Sequence, residues 1–308
     1  MSQKKPYRYI LYILLRLLQG IALILPRWIL LPLARLLGLI AWHALPRERK
    51  RVLEHLTLAF GDQKTWVEKK RIGRGVFENL GQTAVDTLRI PLFKKPLEKN
   101  RLIKIEPLVI EKLKEAHQAG HGTICLASHI GNWELISLSV VEAGFAGTVI
   151  GRRIYYEPFN RVIEAIRHQA GVDVLYRDQS PKDFLKVLKA NEVLGILADQ
   201  DVDSIDGIFV PFFGQPAYTP TAPARLSLSS GAPILPLFMI REKNRYHLIA
   251  DQLIWPPETA PDKEAAVERM TKQWSLIVEG MIRRYPEQWV WMHRRWKTKP
   301  TDKKVSTL

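Results

Sequence analysis

The sequence contains very little cysteine and lacks an unbroken apolar run of the length that a simple membrane span needs. One Cys in 308 residues excludes an internal disulfide and a zinc site built from several thiolates. This scarcity is typical of proteins from a reducing compartment. The hydrophobic fraction of 46% and the charged fraction of 25% are those of a folded chain, so wholesale disorder and collagen-like repeats are excluded.

Acidic residues are scarce at the two ends of the chain. Residues 1–50 contain nine Lys and Arg against one acid, and residues 281–308 contain eight against two. Of the net charge of +15, these ends therefore hold +8 and +6, and the middle is almost neutral. We expect an anionic membrane surface as partner rather than nucleic acid, because the basic residues flank Leu-rich runs and do not interleave with aromatics on a sheet.

The first 45 residues form two Leu-rich and Ile-rich runs, at 10–25 and 28–45. On a helix, one stripe collects the polar residues Lys5, Arg8, Tyr12, Arg16 and Gln19. The pattern predicts a helix in the lipid headgroup region with this stripe toward anionic lipid. A tilted span and a buried helical hairpin of a soluble core are the alternatives. We treat 1–45 as a membrane-associated helical segment and 46–308 as one domain.

The remaining sequence alternates between short apolar runs and amphipathic stretches. The apolar runs predict buried strands at 123–127, 148–150, 172–175, 193–198 and 234–240. Helices are expected within 46–100 and at 133–142, 159–170, 182–190 and 264–285. This order predicts an α/β fold with a mixed, largely parallel sheet and helices on both faces. Ligands of such sheets gather at the carboxyl ends of the strands.

A histidine and a glutamate follow the first predicted strand. If His129 precedes the first helical turn, Glu134 can orient one imidazole nitrogen and leave the other as a general base. A substrate hydroxyl could then attack an activated acyl carbon, and the backbone N–H groups near Gly131 and Asn132 could bind the oxyanion. The alternative is a histidine that only caps the helix, beside a solvated glutamate.

Several further blocks occur in a specific order along the chain. They are 129–134, 151–153, 198–201, 209–220, 232–237 and a tail rich in Trp and Arg at 286–298. This order resembles that of the lipid A late acyltransferases, relatives of the glycerolipid acyltransferases, and the resemblance runs through roughly residues 5–300. The tail is either an interfacial aromatic belt or a segment that packs its indoles on the core. His293, in this tail, has no obvious acidic partner in sequence.

The resemblance implies roles for individual residues. The catalytic dyad falls on His129 and Glu134. The family's arginine, which meets a phosphate, falls on Arg152 or Arg153. Charged loop residues such as Arg177 are usually only solvated, but this one follows a strand and can line the same cleft. The residues expected to bind substrate are Asn132, Arg152, Arg153, Arg177, Asp199 and Asp201.

The implied reaction moves a fatty acyl chain from an acyl carrier protein thioester to a hydroxyl of a phosphorylated lipid A precursor. It places 46–308 as a catalytic domain on the cytoplasmic face of the inner membrane. Such a donor needs no metal or redox cofactor, and no spacing resembles a metal site, so none is expected. The alternatives are the same chemistry on a lysophospholipid, ornithine lipid or glycolipid, and a non-catalytic membrane-surface binding protein.

Overall fold

The computed structural model of the protein describes residues 6–94, 102–154 and 156–302. Within these ranges, helices surround a seven-stranded sheet and a separate two-stranded hairpin. The strands are β1 (Ile103–Ile105), β2 (Thr123–Ala127), β3 (Gly147–Gly151), β4 (Asp173–Tyr176), β5 (Val193–Leu197), β6 (Gly207–Phe212), β7 (Gln215–Pro220), β8 (Ile234–Glu242) and β9 (Arg245–Ala250). The helices are α1 (Pro6–Ile24), α2 (Arg27–Ala44), α3 (Pro46–Phe60), α4 (Trp66–Leu88), α5 (Pro107–Gln118), α6 (Glu134–Glu142), α7 (Glu157–Gln169), α8 (Pro181–Lys189), α9 (Ala222–Ser230) and α10 (Lys263–Arg284).

The sheet has the order β1-β9-β8-β2-β5-β3-β4, in which β8 and β9 are antiparallel and the other neighbours are parallel. Alternate residues of β2 point into two different cores. Ile124 and Leu126 belong to one buried cluster, and Cys125 and Ala127 belong to the other. The sheet is therefore covered on both faces, and the predicted mixed, largely parallel α/β fold is confirmed.

The five predicted strands correspond to β2, β3, β4, β5 and β8, and the predicted boundaries lie within two residues of the observed ones. Four helices predicted downstream of residue 130 agree equally well. Helices α5 and α9, strands β1 and β9 and the β6–β7 hairpin were not predicted. The hairpin turns at Phe213 and Gly214, which both have positive φ (51° and 70°). A large aromatic residue is unusual there, so the turn had no strong signature.

The 23-residue helix α4 begins at a capping box. Thr65 Oγ1 accepts a hydrogen bond from the Glu68 N–H (3.3 Å), and the Glu68 carboxylate accepts one from the Thr65 N–H (2.8 Å). Further along α4, Thr83 Oγ1 donates a hydrogen bond to the Gly131 carbonyl (3.0 Å). Helix α4 thus supports the loop that follows β2.

Tyr12 and Gln19 of the polar stripe of α1 face the protein, whereas Arg16 is exposed, so the predicted orientation of the whole stripe toward anionic lipid is wrong. Tyr12 packs edge-to-face on Phe159 of α7 with ring centroids 6.4 Å apart, and Gln19 is only 9% exposed. Lys5 lies outside the described residues. The outer face of α1 is instead apolar and carries Ile10, Ile13, Leu14, Leu17 and Ile21. By length and composition, Tyr7–Ile24 can cross a membrane, with a mean hydropathy of 1.4.

Helix α2 is docked on α4 by close backbone contact and by a buried ion pair. A Cβ at Gly38 would lie 2.4 Å from the Phe77 carbonyl oxygen, so only glycine permits this approach. At the start of α2, Arg27 Nε lies 2.8 Å from the buried carboxylate of Asp86 on α4. Arg241 of β8 reaches the same carboxylate (3.0 Å). Residues 6–45 are therefore attached to the body of the protein, and the predicted domain boundary at residue 45 stays a prediction.

Candidate active site

The imidazole of His129 is held by an aspartate from the neighbouring strand. Strands β2 and β5 are parallel with Ala127 opposite Leu197, so the residues two positions further on, His129 and Asp199, also lie opposite each other. His129 Nδ1 is 2.7 Å from Asp199 Oδ1, and the His129 backbone N–H donates to Asp199 Oδ2 (2.8 Å). Trp289 Nε1 donates to the same oxygen (2.8 Å).

This contact determines which nitrogen of His129 is basic. Burial by itself would raise the pKa of Asp199. The attraction of His129 and the hydrogen bonds from His129 and Trp289 outweigh burial and hold that pKa well below its usual range. An ionised carboxylate at Nδ1 keeps the proton there, so Nε2 carries the lone pair. Asp199, expected to bind substrate, is thus the residue that orients His129.

Glu134 does not pair with His129, and this part of the predicted dyad is wrong. Its carboxylate forms a bidentate ion pair with Arg167 of α7, with Oε2 2.9 Å from Nε and Oε1 2.7 Å from Nη2. Glu134 is the first residue of α6, and its side chain contacts α7. The carboxylate that contacts His129 belongs to Asp199, which follows β5. Nothing local to Arg167 in the sequence indicated this partnership.

The backbone donors expected to bind an oxyanion are already engaged. The N–H of Gly131 donates to the Gln288 carbonyl (3.0 Å), and the N–H of Asn132 donates to the Met239 carbonyl (3.1 Å). Gly131 has φ 62°, and a Cβ there would lie 1.7 Å from the Met239 oxygen. The loop is therefore wedged between β8 and the C-terminal tail. The prediction that these N–H groups bind the oxyanion is wrong.

The remaining predicted binding residues divide between buried and surface positions. Asn132 is fully buried and accepts a hydrogen bond from Thr87 Oγ1 (3.3 Å), so its side chain supports the loop instead of facing a substrate. Asp201 accepts hydrogen bonds from the N–H and the hydroxyl of Thr298, both at 2.7 Å, and so anchors the tail. Both side chains have structural contacts that the sequence did not indicate.

Three arginines lie at the carboxyl ends of β3 and β4. Arg152, Arg153 and Arg177 are exposed, and the guanidinium of Arg153 stacks 4.0 Å from the ring centroid of Tyr176. The Arg177 N–H donates to the Gly151 carbonyl (3.0 Å), which holds the two strand ends together. These positions are compatible with binding an anion, and that role stays a prediction.

Gln200 and His293, two residues without a predicted role, complete the surroundings of His129. Gln200 Nε2 lies 2.8 Å from His293 Nε2 and contacts both ring nitrogens of His129, at 3.3 and 3.1 Å. The rings of His129 and His293 are 4.9 Å apart. The tail places His293 there because Trp289 and Trp291 are completely buried in the core. Of the two interpretations of the tail, core packing is therefore confirmed for these indoles.

An apolar cavity adjoins the site. Trp133, whose ring lies 4.8 Å from that of His129, forms part of its wall. The other lining residues include Ala127, Glu134, Ile136, Val140, Ile150, Arg167 and Leu197. Cys125 also lines it, and burial raises the pKa of its thiol to about 12, which makes it a poor nucleophile.

In the described ranges, no three His, Cys, Asp or Glu side chains are grouped closely enough to hold a metal ion. The described arrangement combines a histidine paired with a buried carboxylate and, beyond Trp133, an apolar cavity. That combination suits the transfer of an apolar acyl group to a hydroxyl.

Comparison with known proteins agrees with this chemistry. The sequence profile of the bacterial lipid A biosynthesis acyltransferases matches residues 1–298. The chain is 27% identical over 274 residues to the lipid A biosynthesis lauroyltransferase of Escherichia coli (strain K12), covering 86% of this chain and 84% of the relative. It is 25% identical over 292 residues to the lipid A biosynthesis palmitoleoyltransferase of the same strain, covering 89% and 88%. It is also similar to the phosphatidylinositol mannoside acyltransferase of Mycolicibacterium smegmatis, with 23% identity over 212 residues, 67% of this chain and 66% of that protein. The chain belongs to the bacterial lipid A biosynthesis acyltransferase family and is a membrane-associated lipid acyltransferase.

Proposed function

We propose that the protein transfers a fatty acyl chain from an acyl carrier protein thioester to a hydroxyl of a lipid A precursor. It does so on the cytoplasmic face of the inner membrane. The observation that carries this proposal is His129, whose Nδ1 is bonded to the buried Asp199 carboxylate while its ring packs on Trp133, which lines an apolar cavity. Membership of the family supports lipid acyl transfer. The identity of the acyl donor, the identity of the acceptor hydroxyl and the roles of the residues are parts of this proposal.

In the proposed reaction His129 acts as the general base. Its Nε2 takes the proton of the acceptor hydroxyl as the oxygen attacks the thioester carbon and a C–O bond forms. The tetrahedral intermediate then collapses, the C–S bond breaks, and His129 returns the proton to the departing thiolate. Asp199 stabilises the imidazolium that exists between these steps. The thioester is already activated, so the reaction includes no metal ion or redox cofactor.

The ion pair between Glu134 and Arg167 acts as a positioning element in this scheme. It joins the first turn of α6 to α7 at the lining of the cavity. A bidentate ion pair of this kind holds both side chains in one geometry. We therefore assign Glu134 to keeping the cavity wall and Trp133 in place beside His129, and not to proton transfer.

The positive charge of the protein complements the negative charge of both proposed substrates, the phosphorylated lipid and the acyl carrier protein. The basic chain ends suit anionic lipid and an acidic carrier protein. Arg152 and Arg153 stand at the surface beyond β3, where guanidinium groups can bind the acceptor's phosphates. The exposed apolar residues of α1 support an arrangement in which this surface lies next to the bilayer.

A glycolipid acceptor is the second candidate. The similarity to phosphatidylinositol mannoside acyltransferases favours it, because those relatives are named for acylation of a mannosylated lipid. The proposed chemistry at His129 is the same for both acceptors, and only the groups that hold the acceptor would differ.

An acyl-transfer assay on the detergent-solubilised full chain tests the proposal. Acyl carrier protein thioesters are offered with a tetra-acylated or penta-acylated lipid A precursor, a mannosylated phosphoinositide or a lysophospholipid. We expect transfer to the lipid A precursor and its loss in His129→Ala. Preferred transfer to another lipid would refute the acceptor, and wild-type rates in His129→Ala would refute the base. The variant Glu54→Ala, at an exposed residue of α3, serves as the control.

A further inference from the structure

The proposed reaction creates a negative charge on the thioester oxygen, and that charge needs a hydrogen-bond donor. The obvious candidates, the N–H groups of Gly131 and Asn132, donate to the Gln288 and Met239 carbonyls. The N–H of His129 donates to Asp199. Three backbone donors of this loop are therefore taken, and a donor must come from another part of the site.

The Gln200 amide nitrogen lies over the face of the His129 ring. It is 3.3 Å from Nδ1 and 3.1 Å from Nε2. These nearly equal distances are inconsistent with a hydrogen bond along the in-plane lone pair of Nε2, which would leave Nδ1 much farther away. The lone pair of Nε2 therefore remains directed away from Gln200, toward an approaching hydroxyl.

Gln200 also determines the tautomer of His293. Its amide nitrogen is 2.8 Å from His293 Nε2, and an amide nitrogen can only donate, so Nε2 of His293 accepts. A neutral His293 then carries its proton on Nδ1. In the described part of the chain, no protein group is hydrogen-bonded to that Nδ1.

We propose that His293 is a further catalytic residue, whose Nδ1–H donates a hydrogen bond to the thioester oxyanion during acyl transfer. This inference rests on the proposed function. The 4.9 Å between the two ring centroids puts the donor within reach of the carbonyl group whose attack His129 promotes. Gln200 is the positioning residue that fixes the tautomer.

The surroundings of His293 keep its imidazole neutral. Burial and the neighbouring His129 lower the pKa of His293 to about 4, and the charge of Asp199 only partly opposes them. A neutral imidazole retains one donor and does not repel the proton that His129 must accept. The same tail thus supplies Trp289 to the Asp199 carboxylate and His293 to the oxyanion.

Three substitutions at position 293 test the inference in the same assay, with saturating acyl carrier protein thioester. His293→Leu keeps much of the bulk and removes the donor. It should lower kcat by about 10²- to 10³-fold with little change in KM. His293→Asn places an amide near the position of Nδ1 and should restore at least a tenth of the activity. His293→Gln places its amide near Nε2 and should not.

The matched control is His55→Leu. His55 is a half-buried histidine that bonds the Trp291 carbonyl (2.8 Å) and packs against Trp296 in the same tail. An equal loss of kcat in His55→Leu would mean that tail packing explains the effect, and the inference would be wrong. Wild-type kcat in His293→Leu, or equal activities of the Asn and Gln variants, would also overturn it. Wild-type rates in His129→Ala would instead overturn the proposed function.

Discussion

Asp199 Oδ1 lies 2.7 Å from His129 Nδ1, although 70 positions separate the two residues in sequence. Their strands are parallel neighbours in register, and both residues leave the sheet at the same edge. The buried carboxylate therefore belongs to the catalytic histidine of our proposal. The contacts of Asp199, the ion pair of Glu134, the apolar cavity and the outer face of α1 each lead to a separate prediction.

The substitution Asp199→Asn should abolish most of the activity. An asparagine can donate to Nδ1 and stabilise the wrong tautomer, in which Nε2 holds the proton. We expect kcat to fall by about 10⁴-fold, as when a buried aspartate of a catalytic triad is changed to asparagine. Steady-state kinetics would measure this. Asp183→Asn, at a residue paired with Lys186 on α8, should leave kcat unchanged, and a similar loss there would contradict the prediction.

The pair of Glu134 and Arg167 should be strongly coupled. Each single change to Gln leaves a partly buried charge without its partner, whereas the double change removes both charges. We expect a coupling free energy of about 1 to 3 kcal/mol from a double-mutant cycle on unfolding in detergent. The exposed pair Glu157 and Arg161 on α7 is the control, with a coupling below about 0.5 kcal/mol. Additive effects on the free energy of unfolding would show that Glu134 and Arg167 are not coupled, and the prediction would be wrong.

Filling the apolar cavity should shorten the preferred acyl chain. Val140 lines the cavity from α6, and Val140→Phe would occupy part of its volume. We expect kcat/KM for long-chain thioesters to fall about tenfold or more relative to short-chain ones, because the longer chains lose buried area. A competition assay with mixed thioesters would show the change. Val67→Phe makes the same change at an exposed residue of α4 and should keep the wild-type preference. An unchanged preference in Val140→Phe would place the acyl chain elsewhere.

Charges on the outer face of α1 should weaken membrane attachment. Leu17 and Ile21 are 60% and 47% exposed, and lysine at the centre of a membrane-embedded helix costs about 2.5 to 3.5 kcal/mol. The double variant L17K/I21K should shift from the membrane fraction toward the soluble fraction. Fractionation by sedimentation would quantify the shift. Leu276→Lys, on α10 and 59% exposed, should not shift, and equal behaviour of the two variants would argue against α1 as the anchor.

Much of the fold followed from local pattern. Five short apolar runs predicted β2, β3, β4, β5 and β8, because strands of a sheet that is covered on both faces stay largely apolar. The alternation with amphipathic helices then predicted a parallel sheet. Strand β1, strand β9 and the β6–β7 hairpin lacked that signature, and their formation depends on pairing more than on composition.

The sequence by itself therefore determined the α/β class, the central strands and the presence of a histidine at a strand end. Only the tertiary structure decided which carboxylate meets His129, because strand order brings Asp199 beside it and turns Glu134 toward Arg167. It also decided that Tyr12 and Gln19 of α1 face inward and that the N–H groups of Gly131 and Asn132 are engaged. Hydrogen-bond partners across strands and helices depend on how the whole chain packs, and no local spacing encodes that.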